Sequence, residues 1–414
     1  MDTRSSSNAT NNMDRNIVDE VDEQIIRGDQ IGDTMYSAHW VLDFILSLTK
    51  EDKKDEDMIE GNLSTIWDMT ADEQVVTFLL ENQFYDVALV FLKNSRNDRH
   101  IEQLIGIIAN LTCQTNALES LSEKNELVNI ILMHLSGSDT ETLLQVFRLL
   151  KCFIHDIKIN PNSFWLKKLT SCEILVDSLN FILCNSSNEN LLMSALELIC
   201  LMTEIKLPNS NQSLMEGIFD VEKLLHNFNI ATQELIHCKN DVHDDNEIKV
   251  VNLWFSFYET IFHKKLYKFT HDQADENFKT MNDILTRMLK PYECSSNLEL
   301  FENDCFDIIE NCIKMASFFE CNQMLPSKEL LQTVALILLN IQSVMSQDDA
   351  VEIEKVKQLH ITLSLFWVET HKLLSKKGNA SIFDSNAKDC EKFIEKITSE
   401  FPQLTIEIKD IIRQ

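Results

Sequence analysis

The chain predicts an all-α protein, an armadillo/HEAT-like helical-repeat solenoid with a disordered acidic N-terminus. Three observations predict it. First, 414 residues contain only 7 Gly and 5 Pro, far fewer than the roughly 12% that the two contribute on average. Sandwiches, propellers and doubly wound sheets need those residues at their corners. Second, from Leu63 onward apolar residues recur at helical spacing almost without interruption. Third, one apolar stripe repeats. Leu104, Ile105, Ile107, Ile108 and Leu111 superpose, at a shift of 39, on Leu143, Leu144, Val146, Phe147 and Leu150; a further shift of 48 gives Leu191, Leu192, Ser194, Ala195 and Leu198. A period near 40 residues is that of armadillo and HEAT units, built of two or three helices each. An irregular helical bundle is the competing architecture.

Taken in order, residues 1–27 are Ser/Asn-rich and then acidic, with little to bury, and are expected to be a disordered tail. Residues 28–48 form a helical motif: Gly28 and Gly32 allow a turn, and apolar residues at 40, 41, 44, 45 and 48 make one helical stripe. Residues 49–60 are expected to be an acidic linker, and residues 61–414 the helical repeats. Thr70-Ala71-Asp72-Glu73 has the pattern of a capping box opening the helix that carries Val75, Val76, Leu79 and Leu80. Asp98 and Asn125 occupy cap positions before His100–Cys113 and Glu126–Leu135. Pro161, Pro208, Pro291 and Pro326 fall at breaks between periodic stretches, where Pro is tolerated. Stretches around Ile248–Phe262, Phe306–Phe319 and Leu330–Val344 have helical bulk without a defined spacing. Leu404–Ile408 alternates like a strand, or equally forms a docked tail.

The function classes narrow by exclusion. Lys and Arg number 37 against 66 Asp and Glu, a net charge of −29, which argues against nucleic acid as a direct partner. Residues 1–80 hold 18 of the acidic and 6 of the basic residues, so much of the charge belongs to the tail and linker. No apolar run approaches the ~18 residues of a membrane span, and the polar N-terminus has no apolar signal region, so an intracellular, non-secreted protein is expected. Among the 11 cysteines, Cys152, Cys184 and Cys200 read as small buried hydrophobes in a reducing compartment.

Phosphate loops, C-x-x-C pairs, G-x-S-x-G and H-E-x-x-H are all missing from the sequence. Cys305 and Cys312 lie seven residues apart, about 10 Å along a helix, too far for one tetrahedral ion. His237, Cys238, His243, Asp244 and Asp245 are the densest collection of potential ligands, but their polar, acidic setting reads as a solvated loop. No catalytic residue, cofactor, metal or small-molecule substrate is therefore expected. What remains is a non-enzymatic adaptor with protein partners.

Tyr36, His39, Trp40, Trp67, Asp68 and Asn110 are the candidate partner-binding residues. Trp67, Trp165, Trp254 and Trp367 sit among aliphatics and read as core, whereas Trp40, in an outlying segment, could anchor that segment to the solenoid or to a partner. Asn110 carries an amide whose donor and acceptor match one peptide unit. A peptide groove needs a ladder of such residues, and the equivalent positions hold Leu149 and Glu197. Asn110 thus either lines a groove or bonds its own neighbouring loop. A karyopherin-like carrier, binding basic peptides in an acidic groove, is the alternative to an adaptor; the same acidity also serves solubility.

Gly28–Trp40 (GDQIGDTMYSAHW) and Ile66–Glu73 (IWDMTADE), continuing into Val75–Leu80, resemble the serum amyloid A-like protein 1 (SAAL) family. Gly106–Cys113 falls where that family has a similar segment, and Gly106–Thr112 resembles the third-helix core of an armadillo repeat, in which the Asn commonly faces the concave groove. Phe401–Leu404 weakly echoes the family's C-terminal end. The resemblance is specific over 28–113. It implies an armadillo-type fold, a nuclear location with the cytoplasm as a second compartment, a role in promoting cell proliferation, and no catalytic residues. Basic clusters stop at pairs, Lys264-Lys265 and Lys376-Lys377. Residues 28–48 and 66–80 are the expected functional surface, unless they cap the open end of the solenoid, as terminal repeats must.

Overall fold

The computed structural model describes residues 29–50, 55–208, 210–237, 242–268, 275–299, 303–322, 324–345 and 353–377. The tail 1–27, Gly28, linker residues 51–54, Cys238 and the segments 401–404 and 404–408 lie outside these. Among the described residues there are nineteen α-helices and no strand, only the isolated antiparallel bridges Gln30–Ser37 and Lys206–Ser213. The chain divides into two compact units, one running to Leu179 and including Ile205–Leu214, the other comprising Asn180–Glu204 and the chain from Met215.

The first unit contains α1 (Ala38–Leu48), α2 (Glu56–Met69), α3 (Glu73–Glu81), α4 (Phe84–Asn94), α5 (Asp98–Leu111), α6 (Thr115–Glu123), α7 (Asn125–Met133), α8 (Thr140–Ile159) and α9 (Phe164–Thr170). They pack as three-helix repeats: α2, α5 and α8 stack in one row, α1, α4 and α7 in a second, and α3 and α6 in a third. Side-chain rungs join neighbouring repeats. Arg99 pairs with Glu60, Gln103 donates to the Glu60 carbonyl and Ser64, Lys124 pairs with Asp86, and Lys168 donates to Asn125, at separations of 38 to 43 residues. This is the armadillo period, written in hydrogen bonds rather than in apolar pattern.

The predicted stripe is the core of the first row. Leu104, Ile105, Ile107, Ile108 and Leu111 on α5 are fully buried, as are Val146, Phe147 and Leu150 on α8. Full burial of each such side chain contributes about 1.5–3 kcal/mol relative to exposure. On α9 the buried Trp165 ring stacks 3.7 Å from that of Phe153 on α8.

After α10 (Glu173–Asn185), the second unit holds α11 (Glu189–Glu204), α12 (Leu214–Ile218), α13 (Val221–Leu235), α14 (Asp245–His263), α15 (Glu276–Leu289), α16 (Ser295–Glu299), α17 (Asn303–Cys321), α18 (Lys328–Met345) and α19 (Ile353–Lys377). Here the repeats are helix pairs. One row is α11, α14, α17 and α19; the other is α13, α15 and α18. Rungs such as Asn227 to Asn180, Gln233 to Asp283 and Ser327 to Asn282 span 45 to 50 residues. The longer and less regular spacing is why these helices have no sequence period to find.

Several local expectations need correction. Helix α2 starts at Glu56 and so takes in the last residues of the stretch expected to be linker. Thr70 does not form a capping box: Asp72 caps α3, accepting from the Gln74 N–H at 2.8 Å, and the Thr70 hydroxyl donates to the Trp67 carbonyl. Asn97, not Asp98, caps α5, because its side-chain oxygen reaches the Arg99 N–H at 3.0 Å while Asp98 is already helical. Asn125 is likewise the first helical residue of α7, with Lys124 in the cap position. Cys184 is exposed and Cys152 half-buried; of the three cysteines expected inside, only Cys200 is buried.

Trp165, Trp254 and Trp367 are core residues, but Trp67 is only half-buried. The acidic segment before α14 is not simply a solvated loop. His243 is buried, with Nδ1 3.1 Å from Glu247 Oε2 and Nε2 donating to the Met288 carbonyl at 2.8 Å. Asp244 and Glu247 cap α14 reciprocally. Both ring nitrogens of His243 are therefore committed to packing.

Candidate interaction surface on the N-terminal repeats

Residues 29–37 take the place of a first helix in the terminal repeat, and the sequence dictates how. Asp29 accepts hydrogen bonds from the Ser37 hydroxyl and the His39 N–H, which hold its carboxyl below the ordinary carboxylate range. The Ala38 N–H donates to the Asp29 carbonyl at 2.6 Å and the Ile31 N–H to the Tyr36 carbonyl at 2.9 Å, closing the turn. Ser37 then caps α1 by accepting from the Trp40 N–H at 3.1 Å. Ile31 and Thr34 point inward and are buried.

The turn needs Gly32 for two reasons. Its φ is +57°, in the left-handed region, and a Cβ there would lie 1.9 Å from Gln74 Oε1. That oxygen accepts from the Asp33 N–H at 2.6 Å, fastening the turn to α3. Helix α1 packs in turn on α4. The motif thus lies against α3 through its turn and against α4 through its helix.

Structural duties use up many of the motif's residues and leave others on the surface. Met35 is 92% exposed at the turn. His39 is exposed and lies 3.2 Å from Asp43. Tyr36 and Trp40 are half-buried, the Trp40 ring stacked on Phe44 at 6.0 Å. Leu46, further along α1, is also exposed. Beside the turn an open cleft of about 720 Å³ is lined by Ile31, Gly32, Phe78 and the acidic side chains of Asp72, Glu73 and Glu81.

Trp67 and Asn110 form a second cluster, between α2 and α5. A Cβ on Gly106 would come within 2.4 to 2.8 Å of three Trp67 ring carbons, so the indole lies directly on the glycine. One turn further along, the Asn110 amide donates to the Thr70 hydroxyl at 2.7 Å and to the Trp67 carbonyl at 3.3 Å, and its oxygen accepts from Arg148 on α8. Asn110 ties three successive repeats together. Its amide hydrogens are both spent on the C-terminal end of α2, 40 and 43 residues away, so Asn110 bonds the preceding repeat rather than its own neighbouring loop. Of the ladder positions, Leu149 is buried and Glu197 is paired with Lys249. Asp68 is exposed on α2 beside Trp67 in sequence.

Arg148, Cys113 and Cys152 belong to this second cluster and were not anticipated from sequence. Burial pushes the Cys152 thiol up, against the nearby positive charge of Arg148, while the Thr112 hydroxyl and the Cys113 thiol both donate to the Ala109 carbonyl, at 2.9 and 3.6 Å. The signal was available, since Cys113 and Cys152 are separated by the same 39 residues that relate the two stripes. Among the described residues no three His, Cys, Asp or Glu side chains come together as metal ligands, and no single helix is long and apolar enough to cross a membrane.

Triplet repeats closed by an N-terminal turn-and-helix cap define an armadillo-type helical-repeat protein. No family model matches the chain. It is 30% identical over 187 residues to Protein SAAL1 of Homo sapiens, a match covering 42% of this chain and 39% of that one. It is 28% identical over 235 residues to Protein saal1 of Danio rerio, covering 54% of this chain and 46% of the relative. The chain thus spans less than half the length of the curated relatives it matches. Through these matches the chain is related to the SAAL1 family. A solved structure of an engineered protein aligns with 88% of this chain and 98% of its own at 11% identity, with a TM-score of 0.27; so slight a likeness bears on neither fold nor function.

Proposed function

We propose that the chain is a non-enzymatic helical-repeat adaptor whose N-terminal repeats hold a protein partner, acting in nuclear control of cell proliferation as the SAAL resemblance implies. The observation that supports this reading is Met35. A large apolar side chain, 92% exposed on a turn whose other residues are committed to hydrogen bonds or packing, has no structural duty there and suits a partner's apolar pocket. The acidic cleft beside it suits a basic residue on the same partner.

The karyopherin-like alternative retains only the overall acidity as support, because Asn110 is spent within the fold and no amide ladder accompanies it. Affinity purification from nuclear extract separates the two readings. Met35→Ser should lose partners that Asn110→Ala retains. Loss of all partners with Asn110→Ala alone, in a folded protein, would favour the groove.

A further inference from the structure

Three segments of the second unit meet at an open cleft of about 820 Å³: the start of α13, the turn that ends α14 and the start of α15. Tyr267 fixes the turn to α15, its hydroxyl donating to Asp275 at 2.5 Å. Asn277 also lines the cleft; it is only 9% exposed, and its side-chain oxygen has no hydrogen-bond partner. A buried acceptor without a donor is costly, so the site suits a ligand that brings an N–H. Lys223, Lys265 and Lys268 are exposed around it and form no ion pair among the described residues. Lys265 occupies a strained position to be there. It follows the α14 cap in the left-handed region, at φ +55°, with its N–H on the Phe262 carbonyl and the Leu266 N–H on the Ile261 carbonyl. Glycine is the usual residue at that place in a helix end.

The other groups on the cleft narrow the chemistry. Asp220 already accepts from the Glu222 and Lys223 N–H groups, and Asp275 from Tyr267 and the Phe278 N–H. Glu222 and Glu276 are exposed and His226 is half-buried. With both signs present this is no general anion site. Sulfate or a phosphate-ester dianion would meet the lysines but, being an acceptor throughout, would leave Asn277 unpaired. A chain terminus carries the matching pair within one residue, a carboxylate for the lysines and an N–H for Asn277. We infer that the cleft captures the C-terminal residue of a protein partner in this way, with Glu222 and Glu276 favouring Lys or Arg upstream of that end. This contact lies in the second unit and does not depend on the turn at Met35.

A pool of random hexapeptides, labelled at the N-terminus and ending in a free carboxylate, tests this by fluorescence anisotropy on the full chain. Every member shares the recognised terminus, so the pool titrates as one ligand. Saturable binding is expected, weakened at least about tenfold when the same pool is amidated at its C-terminus. Sulfate should compete no better than chloride at equal ionic strength. Lys265→Gly should bind the free-acid pool about threefold or more weakly, while its thermal midpoint stays level or rises, since glycine suits φ +55°. A purely structural role for Lys265 would not separate affinity from stability in that direction. Equal binding of the two pools, no saturable binding up to about 1 mM peptide, displacement by sulfate, or Lys265→Gly binding as tightly as wild type would overturn the proposal.

Discussion

Replacing Gly106 with Ala tests how the first row of helices is built. In an exposed helix interior the change would stabilise by up to about 1 kcal/mol, since Ala is the better helix former. Here the added methyl would lie 2.4 to 2.8 Å from Trp67 ring carbons, where it cannot stay. The indole must move off α5, and overpacking of this kind costs about 1–3 kcal/mol. Set against the propensity gain, the clash leaves a net loss of about 0–2 kcal/mol. In a Trp67→Ala background the ring is absent, so the same Gly106→Ala change should turn neutral or stabilising. The sign reversal is a coupling of about 2 kcal/mol, within the range for residues in contact. Hydrogen exchange of the α2 and α5 amides is the suitable assay, because it reports this row separately from the second unit. A Gly106→Ala protein with greater protection in the wild-type background would refute the Trp67–Gly106 contact.

Other outcomes follow from single residues. Gly32→Ala forces an L-residue to φ +57° against Gln74; it should destabilise by about 1–3 kcal/mol and raise exchange in 29–48, measured by hydrogen exchange. Asn110→Ala removes bonds to Thr70, Trp67 and Arg148; it should cost about 1–2 kcal/mol in denaturant titrations while leaving the partner set unchanged. In the second unit, Glu320 on α17 accepts from the Thr370 hydroxyl on α19, and burial raises its carboxyl from the ordinary 4.5 to about 8. A folded-state pKa above the unfolded one means that the native state binds the extra proton. This contribution to stability is full below about pH 4.5 and is lost as pH rises towards 8. Thermal midpoints across that window should fall less in Glu320→Gln than in wild type.

The fold class was legible because scarce Gly and Pro and a shift of 39 residues both report on the tightest row, where Leu104–Leu111 and Leu143–Leu150 occupy equivalent places. The three family-like segments were legible as well, and the structure explains why they go together: Gly32 meets Gln74, and Trp67 meets Gly106. Other features depend on a neighbour far along the chain. Trp67 looks like any core tryptophan until the glycine beneath it is known. Asn110 looks like a groove residue until Thr70 and Arg148 take its amide. His243 looks solvated until the Met288 carbonyl, 45 residues on, receives its ring N–H. Helix starts shifted by one residue, from Asp98 to Asn97, because either side chain satisfies the local cap pattern and only backbone geometry chooses between them.

The most direct test of the adaptor reading is quantitative co-purification of wild-type and Met35→Ser chains from nuclei, with hydrogen exchange run on both. Met35 lies on the surface, so exchange in α1, α3 and α4 should be unchanged while the bound partners fall away. A Met35→Ser chain that keeps every partner of the wild type would contradict a partner surface on this turn, and would leave residues 29–48 as the cap of the solenoid alone.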